Sequence, residues 1–137
     1  MKSTQGLRKD HASLRRQLAL LEARLATPDT LALIRGMCAS LSRILTEHIR
    51  KEARALAPYS NRLHAVLQQR FLDDHEDEQV VLRELNALVA SGAQVSTGAL
   101  IRYLSRLIEE LREHMDEEER SLFPVVDRAG TEQEVSA

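Results

Sequence analysis

Four stretches of this 137-residue chain place apolar residues at alternating steps of three and four, the mark of a helix that buries one face. The first stripe is Leu7, Leu14, Leu18, Leu21 and Leu25, with His11 filling the gap after Leu7, and it predicts a helix from about Leu7 to Leu25. Thr27-Pro28-Asp29-Thr30 follows as a start signal: a capping hydroxyl, a proline suited to the first helical position and an acid at the positive end. The second stripe then runs through Leu31, Ile34, Cys38, Leu41, Leu45, His48, Glu52 and Ala55, so His48 and Glu52 fall on the buried seam of a helix ending near Ala57. Gly36 inside it is a small propensity cost.

Pro58-Tyr59-Ser60-Asn61 breaks the pattern, and residues 58–63 are expected to be irregular. A third stripe, Leu67, Phe71, His75, Glu78, Leu82, Leu85 and Val89, predicts a helix from about His64 to Ala90, stopped by Ser91-Gly92. Ser96 or Thr97 caps a fourth helix with the stripe Leu100, Tyr103 or Leu104, Leu107, Leu111, His114, Glu118, Leu122 and Val125, which Pro124 is expected to kink or end. Residues 129–137 read as a polar, disordered tail.

Four amphipathic helices with short joints predict an all-α, up-down-up-down four-helix bundle, a single domain over 1–137 with its core at about 7–126. Counting from the turns checks the heights. His11 lies 17 residues before Pro28 and His75 lies 17 before Gly92, while His48 and His114 sit roughly as far into the helices that follow. At about 1.5 Å per residue all four imidazoles reach a common level to within a turn or two.

Composition narrows the chemistry. Nineteen basic against 21 acidic residues give a net charge of −2, no electrostatic case for nucleic acid or an anionic membrane. No apolar run approaches the roughly 18 residues needed to span a bilayer, and the N-terminal segment lacks the apolar core of a signal peptide. Cys38 is alone, so neither an intrachain disulfide nor a thiolate cluster is available, and a cytoplasmic protein is expected. Met37 and Met115 read as core filler, and Cys38 as a small buried apolar residue rather than a redox switch.

The seam histidines belong to a duplicated frame. Residues 48–58 read HIRKEARALAP and 114–124 read HMDEEERSLFP: His, Glu four on, Leu four further, Pro two beyond. Each is preceded by an Asp-His pair, Asp10-His11 and Asp74-His75, 37 and 39 residues upstream of the His-x-x-x-Glu. Residues i and i+4 share a helix face, so each pair offers one imidazole and one carboxylate to the same point. An ionised carboxylate in a core is costly unless paired or metal-bound. Four imidazoles and two carboxylates converging from four helices therefore predict a divalent metal site; the donors suit iron or manganese, and the lack of thiolate disfavours structural zinc or an iron–sulfur cluster. Two imidazoles per metal and two bridging carboxylates describe a dinuclear site about 3.5–4 Å across, with open positions for a bridging oxo or hydroxo group and a small exogenous ligand.

In this His…HxxxE…His…HxxxE order, and in the Leu-Phe-Pro after Glu118, the chain resembles the hemerythrin-like (HHE cation-binding) family over about residues 8–126. The resemblance implies a non-haem pair of iron ions held by His11, His48, Glu52, His75, His114 and Glu118, with the glutamates bridging. Oxygen-carrying members look like HxxxH on the third helix, whereas His75 is followed at that spacing by Gln79; a four-histidine site is implied, its remaining position left to Glu78, water or no group. Ferritin-like di-iron enzymes need Glu-x-x-His on two helices, which no histidine here satisfies.

Other residues read more plainly. Glu78 is by default a bundle-edge acid, with a seventh ligand as the alternative. His64 and Tyr103 fit a polar layer near the bundle end better than channel groups. The acidic run Asp73, Asp74, Glu76, Asp77 and Glu78, and Asp116, Glu117 and Glu119, read as solvated helix faces, with iron guidance as the sharper reading of the first set. Function divides three ways: a module that binds or senses oxygen, nitric oxide, peroxide or iron; an enzyme that consumes peroxide or nitric oxide or donates iron for cluster repair; or an interaction module with a vestigial site.

Overall fold

The computed structural model describes the backbone of residues 4–26, 31–62, 65–90 and 97–136; the side chains of 31, 60–62, 67, 71, 89 and 131–136 are outside that description. All described regular structure is helical. Helix α1 (Gln5–Ala26) buries Leu7, His11, Leu14, Leu18, Leu21 and Leu25, the whole expected stripe. Helix α2 (Leu31–Leu56) buries Ile34, Cys38, Leu41, Leu45, His48 and Glu52, together with Ile49 and Leu56. A 3₁₀ segment (Ala57–Arg62) occupies the stretch expected to be irregular. Helix α3 (Ala65–Ala90) and helix α4 (Thr97–Glu117) complete a helical bundle in which α1 packs on α2 and α4, and α2 packs on α3. The Thr27–Thr30 start signal, the Ser91-Gly92 stop, Ser96 and His64 lie outside the described residues. None of the described helices is long and apolar enough to cross a membrane.

Two differences from the sequence reading concern the C-terminal end. Helical backbone does not stop at Pro124; α4 gives way before it. It opens into a π turn (Glu118–Leu122) and continues as α5 (Phe123–Ser136). The Phe123 N–H donates to the Glu118 carbonyl, one residue farther back than an α-helix would reach. Proline lacks an N–H and crowds the preceding turn of an α-helix, and the widened turn sits immediately upstream of it. The tail expected from 129 onward is helical backbone to Ser136, with Ala129 and Gly130 buried. What the polarity pattern missed is a clasp to the other end of the chain. Asp127 accepts from the Thr4 N–H at 2.9 Å and the Thr4 hydroxyl at 2.8 Å, and Arg8 reaches its other oxygen at 3.2 Å.

The core is split in two. The larger cluster is built from Leu14 to Leu25 on α1, Ile34 to Ile49 on α2, Leu85 on α3 and Leu100 to Met115 on α4. The smaller one joins Leu7, Leu56, Leu122, Phe123 and Val126. Fully burying a leucine contributes about 1.5–3 kcal/mol, so both clusters hold the helices firmly. Between them each helical stripe turns polar: His11 falls between Leu7 and Leu14, Glu52 between Ile49 and Leu56, Glu118 between Met115 and Leu122.

Candidate metal centre

Helical spacing explains why this layer faces inward. His11, His48, Glu52 and Glu118 continue the buried stripes of their helices, and their exposures are 0, 3, 0 and 1%. One donor atom from each lies within 4.8 Å of the others, forming a first donor group. Glu78, His114 and again Glu118 form a second. Glu118 is common to both, at the start of the π turn.

Within the first group His48 Nε2 stands 3.0 Å from Glu52 Oε2, and His11 Nε2 stands 3.7 Å from Glu118 Oε1. The two imidazole rings are 4.8 Å apart, and Phe123 stacks on His11 at 5.2 Å. In the second group His114 Nε2 lies 3.2 Å from Glu78 Oε1. Nε2 of all three histidines, both oxygens of Glu52 and of Glu118, and Oε2 of Glu78 are withdrawn from solvent with no hydrogen-bond partner outside the layer among the described residues. A buried polar atom left unpaired costs about 1–3 kcal/mol, more when charged. Eight such atoms turned toward one layer are the mark of a site built around something that accepts lone pairs, and imidazole nitrogen with carboxylate oxygen is a donor set for a divalent transition metal.

Charge states of the protein groups tell the same story. Burial drives the Glu118 carboxyl far above the carboxylate range, and Glu52 and Glu78 beside it add to the shift. Burial also raises Glu78. Burial would raise Glu52 as well, but His48 and Glu118 hydrogen bonds outweigh it and its pKa is lowered. His11 is pushed down to about 4 by burial and by neighbouring His48. His48 and His114 feel the same burial, but carboxylates overcome it: Glu52 and Asp10 raise His48, and Glu78 and Asp74 raise His114 to about 9. Without a cation, the surroundings favour protons on Glu118 and Glu78 and charge on His48 and His114; a divalent ion would replace those protons.

The outward faces of the imidazoles are braced. His48 Nδ1 is 3.3 Å from Asp10 Oδ2, whose other oxygen accepts from Lys51 Nζ at 3.2 Å. His11 Nδ1 faces Glu119 Oε1 at 3.4 Å, and Arg15 binds Glu119 and Asp116. A carboxylate behind an imidazole fixes its tautomer and turns the other nitrogen inward. Asp74 approaches His114 Nε2 at 4.0 Å.

The expected donors thus separate. His11, His48, Glu52, His114 and Glu118 are brought together in the two groups. His75 belongs to neither; it is half-buried on α3, with Nδ1 withdrawn from solvent. Glu78 is not the edge acid expected but 3% exposed and inside the second group. One turn of α3 carries both residues, and the sequence could not say which of them the packing would turn inward. Asp10 was read only as part of the Asp-His echo and Glu119 as solvated helix face, yet both stand behind imidazoles. Asp10 was visible, because the Asp-His echo recurs: Asp10 backs the imidazole of the first His-x-x-x-Glu and Asp74 approaches that of the second. Tyr103 donates instead to Glu84 at 2.7 Å. Cys38 is buried, with its thiol pushed up to about 11 by desolvation, an unreactive position.

The family model described as the hemerythrin HHE cation binding domain matches residues 2–126. No curated protein and no solved structure shows a significant match to the chain.

Proposed function

Because the chain belongs to the hemerythrin HHE cation-binding family, we propose that its buried donor layer holds two iron ions and serves to bind or sense a small ligand such as oxygen, nitric oxide or peroxide. One observation carries the reading: two donor groups share a single carboxylate, Glu118. His11, His48, Glu52 and Glu118 would hold one ion and Glu78, His114 and Glu118 the other, with His75 the next imidazole on α3; Glu78 enlarges the set that the sequence pattern gave. Iron in such a site supplies a redox-active Lewis acid for a small exogenous ligand. The protein's own part is enclosure and orientation. Asp10 and Glu119 aim the imidazoles, Phe123 and the flanking leucines keep water from the first group, and a cleft between α3 and α4 leads to the second. An up-down-up-down course of the helices and a cytoplasmic location, suggested by the single buried cysteine, belong to the same reading.

The open cleft also favours a second reading, an enzyme that turns over peroxide or nitric oxide, since a substrate could reach the second group directly. Metal analysis and optical spectra of the purified protein test both. Two irons per chain and a coloured adduct on exposing the reduced protein to air are expected for a binder, and catalytic loss of peroxide or nitric oxide for an enzyme. The His114→Ala variant is expected to lose half or more of the bound iron; unchanged content would count against the site.

A further inference from the structure

The cleft between α3 and α4 has a volume of about 500 Å³. Seven carboxylates line it, with Arg106 the one guanidinium among the described lining residues. Asp77, Glu110 and Glu113 are exposed along its rim. Glu84 and Glu117 are engaged, the first by the Tyr103 hydroxyl and the second by Arg70 at 3.4 Å. At the inner end stand His114 and Glu78; the Glu78 side chain is only 4% exposed and its Oε2 has no hydrogen-bond partner. Despite Arg106, the lining is predominantly acidic from solvent to a buried carboxylate of the second donor group.

A shallower depression between α1 and α2 also reaches a donor, His48, and is differently charged. Arg43 and Lys51 offset Asp10 and Glu47 at its lining, and the outward nitrogen of His48 is taken by Asp10. That side offers a cation neither a field nor a free atom to land on.

We propose that the α3–α4 cleft is the route by which divalent cations reach the buried layer, with the rim acids drawing them in and Glu78 receiving them. This rests on the dinuclear reading above. A cleft of one charge sign with low-dielectric walls concentrates the oppositely charged ligand and accelerates its arrival by about 10- to 1000-fold, an effect that salt removes. Uptake passes through the second group first, and the first group fills from it across shared Glu118.

The test is stopped-flow uptake of cobalt(II) by the full chain stripped of metal with a chelator. Glu110→Gln with Glu113→Gln is compared with a pair of equal charge change elsewhere, Glu22→Gln with Glu47→Gln. The cleft pair should slow uptake at least about fivefold at low salt, converge with wild type at high salt and reach the same final cobalt content, while the control pair matches wild type throughout. Arg106→Gln should speed uptake. Equal rates for the two pairs, with cobalt still bound at the end point, would overturn the route but leave the site intact. A wild-type chain that never holds cobalt would overturn the site as well.

Discussion

On the α1–α2 side of the donor layer, His11 and Glu52 are wholly withdrawn from solvent and His48 is nearly so; on the α3–α4 side, the His114 side chain keeps 16% of its surface exposed and His75 is only half-buried. The sequence repeats His…HxxxE almost evenly, yet the halves differ in enclosure. Helix α1 presents an uninterrupted leucine stripe around its histidine, and α5 closes over it through Phe123. Helix α3 carries an acidic run around His75 and leaves Val66, Leu72 and Val80 exposed. A duplicated motif fixes which donors are available; the apolar residues flanking each copy decide how dry they become. The dry half is suited to holding an ion, and the wetter half to exchanging one and to meeting a ligand.

The strongest way to break this picture is at the shared residue. Glu118 is held neutral by its surroundings when no cation is present, so glutamine closely imitates its metal-free form. Glu118→Gln is expected to lose both ions while the metal-free protein keeps its stability to within about 0.5 kcal/mol. The stabilisation that metal gives the wild type, about 4 kcal/mol at a free concentration 1000 times Kd, should vanish. Metal analysis and thermal unfolding check both statements; a variant that still holds one ion would show that the halves do not share this carboxylate.

Proton linkage sharpens the contrast in metal-free protein. His11, in the dry half, has a folded pKa near 4, below its unfolded value near 6.5, so its neutral form is favoured and stability falls as pH drops from about 6.5 to about 4. His114 is raised to about 9, so its contribution is complete below about 6.5 and is lost as pH rises through about 9. Each limb is worth about 3 kcal/mol. In urea unfolding across pH, His11→Ala should flatten the acid limb and His114→Ala the alkaline limb; the opposite assignment would reverse the comparison.

The smallest expected effects are in the braces. Asp10→Asn and Glu119→Gln should each weaken metal affinity about 10- to 100-fold without changing stoichiometry. Asp74→Asn should cost less, because Asp74 stands 4.0 Å from His114 Nε2, the nitrogen that faces the donor layer, and not behind the ring. Competition with a chelator of known affinity measures all three, and an equal loss at Asp74 would mean that both halves are braced alike.

How much of this was legible follows from where periodicity speaks. The stripe leucines of α1, Leu41 and Leu45 of α2, those of α4, and the seam placement of His11, His48, Glu52, His114 and Glu118 were readable from steps of three and four, because burial of a helix face imposes that rhythm, whereas Ile49 and Leu56 fell outside it. Glu78 was readable as a seam position, but as a donor only as the lesser of two readings, since its burial depends on the angle at which α3 meets its neighbours. Glu119 lies next to Glu118 on the solvent-facing side, and only the position of α1 brings Arg15 and His11 to it. Helix α5 escaped because its anchor, Asp127 on Thr4, spans 123 residues of sequence and leaves no local trace.

The π turn after Glu118 has a geometric consequence. In an unbroken α-helix the fifth residue onward points roughly 140° away, so Glu118 and Phe123 would look in different directions. Closing the ring one residue later brings them back toward a common bearing, and His11 meets the carboxylate of one and the ring of the other. The turn works as a one-residue phase slip that lets a single continuous rod serve the donor layer with one part and put a lid beneath it with the next.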